Sequence, residues 1–329
     1  MLIFILKFSA CLSVFMIFYK LVLEQANMHQ FKRFYLLSVV VISILIPFIT
    51  FTEYIEPQTV LGDFLNPIDN AILLPLTQEI IETPINYTPI ILWSLYGLGV
   101  LIFSLKFVLN LKQIILKIKN NPKHKNSNFI SVLLNDLVAP HTFFSYIFLN
   151  KTKFENNLIP KEVMLHEETH ATQKHSLDLL FIELFQIIFW FNPLIYFLKK
   201  DIKLNHEFLA DQAVLNKGVT ALQYKETLLA FSSNAKEPKL ANAINYSSIK
   251  KRFTVMKTQT SKQTLWLKSL ILIPILGILI YSCSNQTNAE NTPSAIHQKA
   301  TPEEIKELNK ILNETSSNPE KLMPIKRKD

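Results

Sequence analysis

The stretch His166-Glu167-Glu168-Thr169-His170 lies in Lys161–His175, a segment without Gly or Pro. This segment predicts a helix, in which two histidines four residues apart lie one turn apart on the same face. Both imidazoles can then reach a single metal ion. Glu167 follows the first histidine, and its carboxylate can take a proton from a water at the open position of that ion. The alternative is a solvated helix that carries histidines and glutamates without binding a metal.

A zinc ion that acts in catalysis needs a third protein ligand and one open position. The segment Asn205–Asp211 offers Glu207 on a second predicted helix, with Asp211 one turn later on the same side. We predict that Glu207 is the third ligand beside His166 and His170. Asp211 is then expected to orient a ligand imidazole. The alternative for this pair is an ordinary acidic helix face.

These motifs belong to a longer resemblance that covers most of residues 1–283. Three segments carry it: His166 to Asp178 (HEETHATQKHSLD), Trp190 to Pro193 (WFNP) and Glu207 to Asp211 (EFLAD). Together they resemble the BlaR/MecR-type membrane metallopeptidases, peptidase family M56.

The resemblance implies a zinc site with a defined set of residues. They are the ligands His166, His170 and Glu207 and the general base Glu167. Asp211, His175 and Asp178 are expected to contact the ligands without touching the metal. The role of His175 and Asp178 is left open, although His175 is the alternative third ligand. Tyr224 and His206 are candidates for stabilising the oxyanion because they are near Glu207 in sequence.

The antibiotic receptors of this family carry a penicillin-binding domain after their last membrane helix. Such a domain needs a Ser-x-x-Lys nucleophile. Ser233–Lys236 and Ser247–Lys250 fit that spacing, but both precede the last predicted span, and no Lys-Thr-Gly triplet occurs. Residues 284–329 are too few for a domain of this kind. We therefore expect the peptidase without the β-lactam sensor.

The composition predicts a membrane protein. Hydrophobic residues make up 49% of the 329 positions and glycine only five of them, and the apolar residues are concentrated in blocks. Blocks of this length are typical of membrane spans. The predicted spans are Leu2–Leu23, Phe34–Phe51, Ile90–Leu109 and Leu265–Tyr281. A cleaved signal peptide is excluded for the first block because it has no basic start and no small-residue cleavage site.

The distribution of charge predicts the orientation in the membrane. Loop 52–89 carries acidic residues and no Lys or Arg, whereas Lys106 lies near the inner end of the third span and further lysines follow it from Lys112 to Lys125. By the positive-inside rule, the acidic loop and the amino terminus lie outside and the basic loops lie in the cytoplasm. The net charge of +8 is explained by these flanking lysines, so direct nucleic-acid binding is not expected.

The apolar segment Leu179–Leu198 is long enough to cross a membrane. A crossing would place the two histidines and Glu207 on opposite sides, whereas one zinc ion needs every ligand within about 2 Å. Asn192-Pro193 offers a turn, and Glu183 and Gln186 favour protein or water over lipid. We therefore predict a membrane-embedded segment that enters and returns on the cytoplasmic side, or packs against the spans without crossing.

The runs Phe129–Leu134 and Phe143–Leu149 predict two strands of a small sheet before the active-site helix. The edge of such a sheet can bind an extended substrate by strand addition. A buried hairpin without a binding role is the alternative.

The predicted fold is a mainly α multi-pass membrane protein with a small α+β zincin-type (gluzincin) metallopeptidase domain before the last membrane helix. The predicted divisions are a three-span region 1–112, a cytoplasmic-side zinc peptidase domain 113–264, the last span 265–283 and a polar extracytoplasmic tail 284–329. Site-2-type intramembrane proteases bury their motif in an apolar span, whereas Lys161–His175 is polar.

The resemblance implies a zinc endopeptidase of the bacterial inner membrane that acts in signal transduction or regulated proteolysis. Its substrate would be a protein, either a transcriptional repressor or the chain itself, and its oligomeric state is left open. Two alternatives remain: a signal transducer with a structural zinc site, and a quality-control protease similar to the HtpX and CAAX-processing enzymes.

Overall fold

The computed structural model describes residues 2–55, 87–136, 139–233, 239–257, 262–283, 285–290 and 306. Most of the predicted acidic loop and of the predicted tail lies outside the described residues. Those that are described divide into two compact units. Strand β1 pairs with β6 in the smaller unit, and the other elements belong to the larger one.

The fold is mainly helical with a small sheet, as predicted. The described helices are α1 (Leu2–Phe18, continued by a π-helical turn, Tyr19–Leu23), α2 (His29–Leu45, continued by a 3-10 turn, Ile46–Phe48), α3 (Thr88–Asn120), α4 (Lys151–Glu155), α5 (Lys161–Thr172), α6 (His175–Ile188), α7 (Pro193–Asn216), α8 (Ala221–Ser233), α9 (Lys239–Lys257), α10 (Lys262–Leu270) and α11 (Leu272–Cys283). The described strands are β1 (Thr50–Ile55), β2 (Lys123–Lys125), β3 (Ile130–Leu134), β4 (His141–Phe143), β5 (Tyr146–Asn150) and β6 (Asn285–Glu290).

Three described helical segments are long and apolar enough to cross a membrane, and they overlap the first three predicted spans. They are Ile3–Leu23, His29–Phe48 and Thr88–Asn120. The first two pack together with α6, the start of α7 and α11 around one apolar core. The third is largely exposed, with only 6% of its apolar window buried. Its Gly99 closely approaches the turn between α6 and α7, because a Cβ there would lie 2.2 Å from the Trp190 ring. The number of membrane crossings and their direction stay predictions.

Two predicted spans differ from the observed helices. The third continues well past Leu109 to Asn120, because the added residues favour helix and no breaker occurs before Pro122. The last is interrupted at Ile271, between α10 and α11. Pro274 explains the break, since its nitrogen has no hydrogen to donate to the carbonyl four residues earlier and its ring crowds that carbonyl.

The small sheet has the order β2-β3-β5-β4. Strands β3 and β5 are parallel, with Ile130 opposite Tyr146, and β4 pairs antiparallel with β5. The hairpin alternative is therefore wrong, and the second predicted run is split by a turn in which Phe144 has a φ of 52°. Both faces of β3 and β5 are covered, one by α3 and the other by α4 and α5. Burial on both faces explains why these strands are continuously apolar rather than alternating.

The apolar segment Leu179–Leu198 forms a helical hairpin rather than one long helix. Helix α6 ends at Ile188, and α7 begins after Asn192, whose side chain caps it by accepting a hydrogen bond from the Leu194 amide. Lys199 on α7 returns beside α6 and pairs with Glu183 at 2.5 Å. The chain therefore turns at the Asn192-Pro193 pair. The membrane-embedded position of this hairpin stays a prediction.

Candidate metal centre

Helices α5 and α7 pack together and bring three donor side chains to one point. The Nε2 atoms of His166 and His170 are 3.2 Å apart. One carboxylate oxygen of Glu207, Oε2, lies 3.3 Å from His166 Nε2. The other, Oε1, lies 3.6 Å from His170 Nε2. Tetrahedral zinc with ligand bonds near 2.05 Å requires donor atoms about 3.3 Å apart. The Nε2–Nε2 spacing and the shorter Glu207 spacing match that value, and the 3.6 Å spacing, to the other carboxylate oxygen, is slightly longer, so the residues present fit a zinc ion held by three protein ligands.

Two side chains contact His166 at Nδ1, the ring nitrogen that faces away from the other donors. The Tyr224 hydroxyl lies 2.8 Å from His166 Nδ1 and donates a hydrogen bond to Asp211 at 2.8 Å. Asp211 itself lies 3.4 Å from the same nitrogen. Since the Tyr224 proton goes to Asp211, its oxygen can accept the Nδ1 hydrogen of His166. This arrangement leaves the Nε2 lone pair free for a metal.

His170 is held by a second network that reaches helix α2, a candidate membrane span. Its Nδ1 lies 2.7 Å from Nδ1 of His175, whose ring stacks on His206 with centroids 4.2 Å apart. His206 Nε2 contacts Asp178 at 2.8 Å. Arg33 on α2 donates two hydrogen bonds to the same carboxylate, at 2.6 and 3.1 Å. His175 therefore lies behind a predicted ligand and outside the three-donor cluster.

Glu167 is buried beside the sheet edge. Its carboxylate accepts a 2.7 Å hydrogen bond from Thr142, which lies on β4. Burial raises the pKa of Glu167, and the neighbouring His166 and Thr142 oppose that rise. Thr142 was missed by sequence reasoning, because nothing in its spacing marks it as a partner of a residue 25 positions later.

Arg252 on α9 completes the centre and was also missed. It donates to both oxygens of Asp211, at 2.8 and 2.5 Å, and its third nitrogen lies 2.9 Å from Glu207. In the sequence it is the last residue of a Lys-Lys-Arg cluster, which indicates only a basic membrane flank. One guanidinium therefore fixes the predicted third ligand and the carboxylate one turn after it.

The charges of the centre favour a cation. Burial alone would raise the pKa of Glu207, but Arg252 and the two histidines hold it well below its usual value. Burial would also lower the pKa of His166, but Asp211 and Glu207 raise it to about 9, so without a metal this imidazole carries a proton that zinc binding would have to displace. Burial lowers the pKa of His170 to about 3, so that imidazole is neutral, as a metal ligand must be.

The two oxyanion candidates are placed away from the open position. Tyr224 lies on the Nδ1 side of His166, opposite the nitrogen that faces the donor cluster. His206 is occupied by Asp178 and by its stack on His175. Tyr224 therefore contacts the imidazole of a predicted ligand, and His206 contacts His175, which in turn contacts another, so the geometry does not favour the oxyanion role for either.

The sequence matches a known peptidase family over most of its length. The profile of the family described as BlaR1 peptidase M56 matches residues 3–256. The regulatory protein BlaR1 of Bacillus licheniformis is 36% identical over 129 residues, which cover 36% of this chain and 22% of the relative. The regulatory protein BlaR1 of Staphylococcus aureus is 30% identical over 128 residues, covering 34% and 22%. The matched part spans about a fifth of the length of these relatives. Because the family profile matches most of the sequence, the chain belongs to the BlaR1 peptidase M56 family.

Proposed function

We propose that this chain is a zinc-dependent endopeptidase of a cell membrane that cleaves a protein substrate in signal transduction or regulated proteolysis. The observation that carries the proposal is the donor cluster of His166, His170 and Glu207. Its spacings support tetrahedral zinc, and three protein ligands would leave the fourth position to water, which is the arrangement of catalytic rather than structural zinc sites.

His166, His170 and Glu207 would hold the ion, and Tyr224, Asp211, His175 and Arg252 would keep these ligands in place. When bound, zinc supplies Lewis acidity, which lowers the pKa of a coordinated water and polarises the scissile carbonyl. This division of roles explains why several buried polar side chains surround so small a site.

Glu167 would act as the general base. It directly follows a proposed ligand on α5, and its carboxylate is held by Thr142. It would take a proton from the attacking water and later deliver that proton to the leaving amine. The hydrogen bond from Thr142 would restrain the carboxylate, so the base would need little reorganisation during the reaction.

The substrate would bind as an extended segment along β4. This strand is at the edge of the described four-stranded sheet, and its Thr142 touches Glu167. A peptide added to the free edge of β4 would therefore pass beside the base.

Because the lysine-rich segments flank the apolar helices on the side of this domain, we place cleavage at the cytoplasmic face. A transcriptional repressor or the chain itself fits that location.

The test is Glu167→Gln, with Glu168→Gln as the matched control on the same helix. Glutamine is nearly isosteric and leaves all three proposed ligands intact, but it cannot accept the proton of the attacking water. We expect the Glu167 variant to bind one zinc per chain and to lose proteolysis by about 100-fold to 10,000-fold. The control should retain both properties. Turnover at the wild-type rate by Glu167→Gln would overturn the enzymatic proposal in favour of a signal transducer with a structural zinc site.

A further inference from the structure

A cavity of about 490 Å³ lies away from the metal centre, between α1, α7 and α9. Helices α1 and α7 run in the same direction along it. At one end Asn192 donates a hydrogen bond to Ser9, and at the other Lys20 contacts Asp201 at 2.5 Å. The cavity therefore has two ends that can be assigned from the order of residues along both helices.

The polarity of the lining changes from one end of the cavity to the other. Ser13, Met16 and Ile17 of α1 and Leu194 and Phe197 of α7 line the part nearer the helix starts. Ile17 and Phe197 are 56% and 59% exposed, so this apolar wall opens sideways. If α1, a candidate membrane span, lies in a bilayer, that opening would face lipid hydrocarbon.

The opposite end is cationic. Lys20, Lys200 and Lys251 line it, one from each of the three helices. Two of them have acidic partners, since Lys20 and Lys251 both reach Glu24, at 3.3 and 2.5 Å. The Lys200 side chain is exposed and makes no hydrogen bond or ion pair with any described residue. A positive charge is therefore available where the apolar wall ends.

We propose that this cavity binds an anionic glycerophospholipid. Lys200, the lysine without an acidic partner, would contact the phosphate, and the Ser248 hydroxyl on α9 would donate to a phosphate or glycerol oxygen. An acyl chain would lie along Met16, Ile17 and Phe197.

Dimensions support this occupant. Six residues separate Leu194 from Lys200, which corresponds to about 9 Å of helix, enough for the upper part of an acyl chain. The volume lies within the usual range for small-molecule sites, about 300–1,000 Å³. A free phosphate would use the lysines but none of the apolar wall. The proposal does not depend on the metal centre, because none of these lining residues belongs to it.

The proposal is tested by native mass spectrometry of the full-length chain with an equimolar mixture of phosphatidylglycerol and phosphatidylcholine of identical acyl chains. We expect wild-type protein to retain phosphatidylglycerol preferentially. Lys200→Gln should reduce that preference about fivefold, the usual contribution of one lysine near an anionic lipid surface. Lys200→Arg should preserve it. Lys217→Gln, an exposed lysine at the end of the same helix but outside the cavity, should leave it unchanged.

Glycerol 3-phosphate at millimolar concentration distinguishes the lipid from a free anion, since it lacks the acyl chains and should not displace the bound lipid. Equal retention of the two lipids by wild type would overturn the proposal, as would an unchanged preference in Lys200→Gln. Displacement by glycerol 3-phosphate would reduce the site to a simple anion site. Thermal unfolding of each variant, measured in parallel, ensures that a loss of binding is not a loss of folding.

Discussion

Replacing Tyr224 by phenylalanine tests whether its hydroxyl serves zinc binding or the chemical step. The side chain is fully buried, and its hydroxyl bridges Asp211 and His166 Nδ1 at 2.8 Å on each side. Phenylalanine keeps the ring and its packing, so the change removes one hydroxyl without leaving a large cavity.

The size of the effect follows from what remains after the hydroxyl is lost. A hydrogen bond to a charged group contributes about 1.5–3 kcal/mol. Asp211 keeps both hydrogen bonds from Arg252, and it can approach His166 Nδ1 directly from its present 3.4 Å. This compensation favours the low end of the range. We therefore expect the zinc Kd to rise about tenfold, equivalent to about 1.4 kcal/mol, within the usual range for residues that support a ligand.

The zinc Kd would be measured by competition with a fluorescent chelator, and proteolysis of a labelled casein would be followed at low and saturating zinc. Activity should fall at low zinc and recover when zinc saturates the site. Tyr196→Phe is the control, because Tyr196 donates to the Trp190 carbonyl and does not touch the centre. An unchanged zinc Kd, together with a lower kcat at saturating zinc, would refute this reasoning and return Tyr224 to the role of oxyanion donor.

Three further predictions follow from the same centre. Glu207→Ala should lose zinc in dialysed samples analysed by atomic absorption, whereas Asp211→Ala should weaken the Kd by about tenfold to a hundredfold; full zinc retention by Glu207→Ala would point to another third ligand. Thr142→Val should lower kcat with an unchanged zinc Kd, because it frees the carboxylate of the base, and a changed Kd would contradict that separation. Single cysteines at Lys161 and Lys203, in a background without the two native cysteines, should both resist an impermeant thiol reagent in intact cells. Labelling at position 203 alone would reveal a true membrane crossing between them.

The sequence by itself determined the features that depend on local periodicity. His166 and His170 share a helix face because they are four residues apart, and Glu207 and Asp211 share another for the same reason. The apolar blocks predicted the helices α1 and α2 within about six residues at each end and the start of α3 within two, but not the extension of α3 to Asn120. The Asn192-Pro193 pair predicted the turn of the α6–α7 hairpin, because asparagine caps a helix and proline is favoured at its first position.

Only the tertiary structure decided which side chains support the donor cluster. Arg252 contacts Asp211 across 41 residues of sequence, Tyr224 reaches His166 across 58, and Arg33 reaches Asp178 across 145. No repeat or spacing connects such residues, because each sits on a different helix and meets its partner only when those helices pack. The parallel pairing of β3 and β5 was hidden for a related reason. Burial on both faces makes a strand continuously apolar, and a continuously apolar strand carries no signal of which neighbour it will pair with or in which direction.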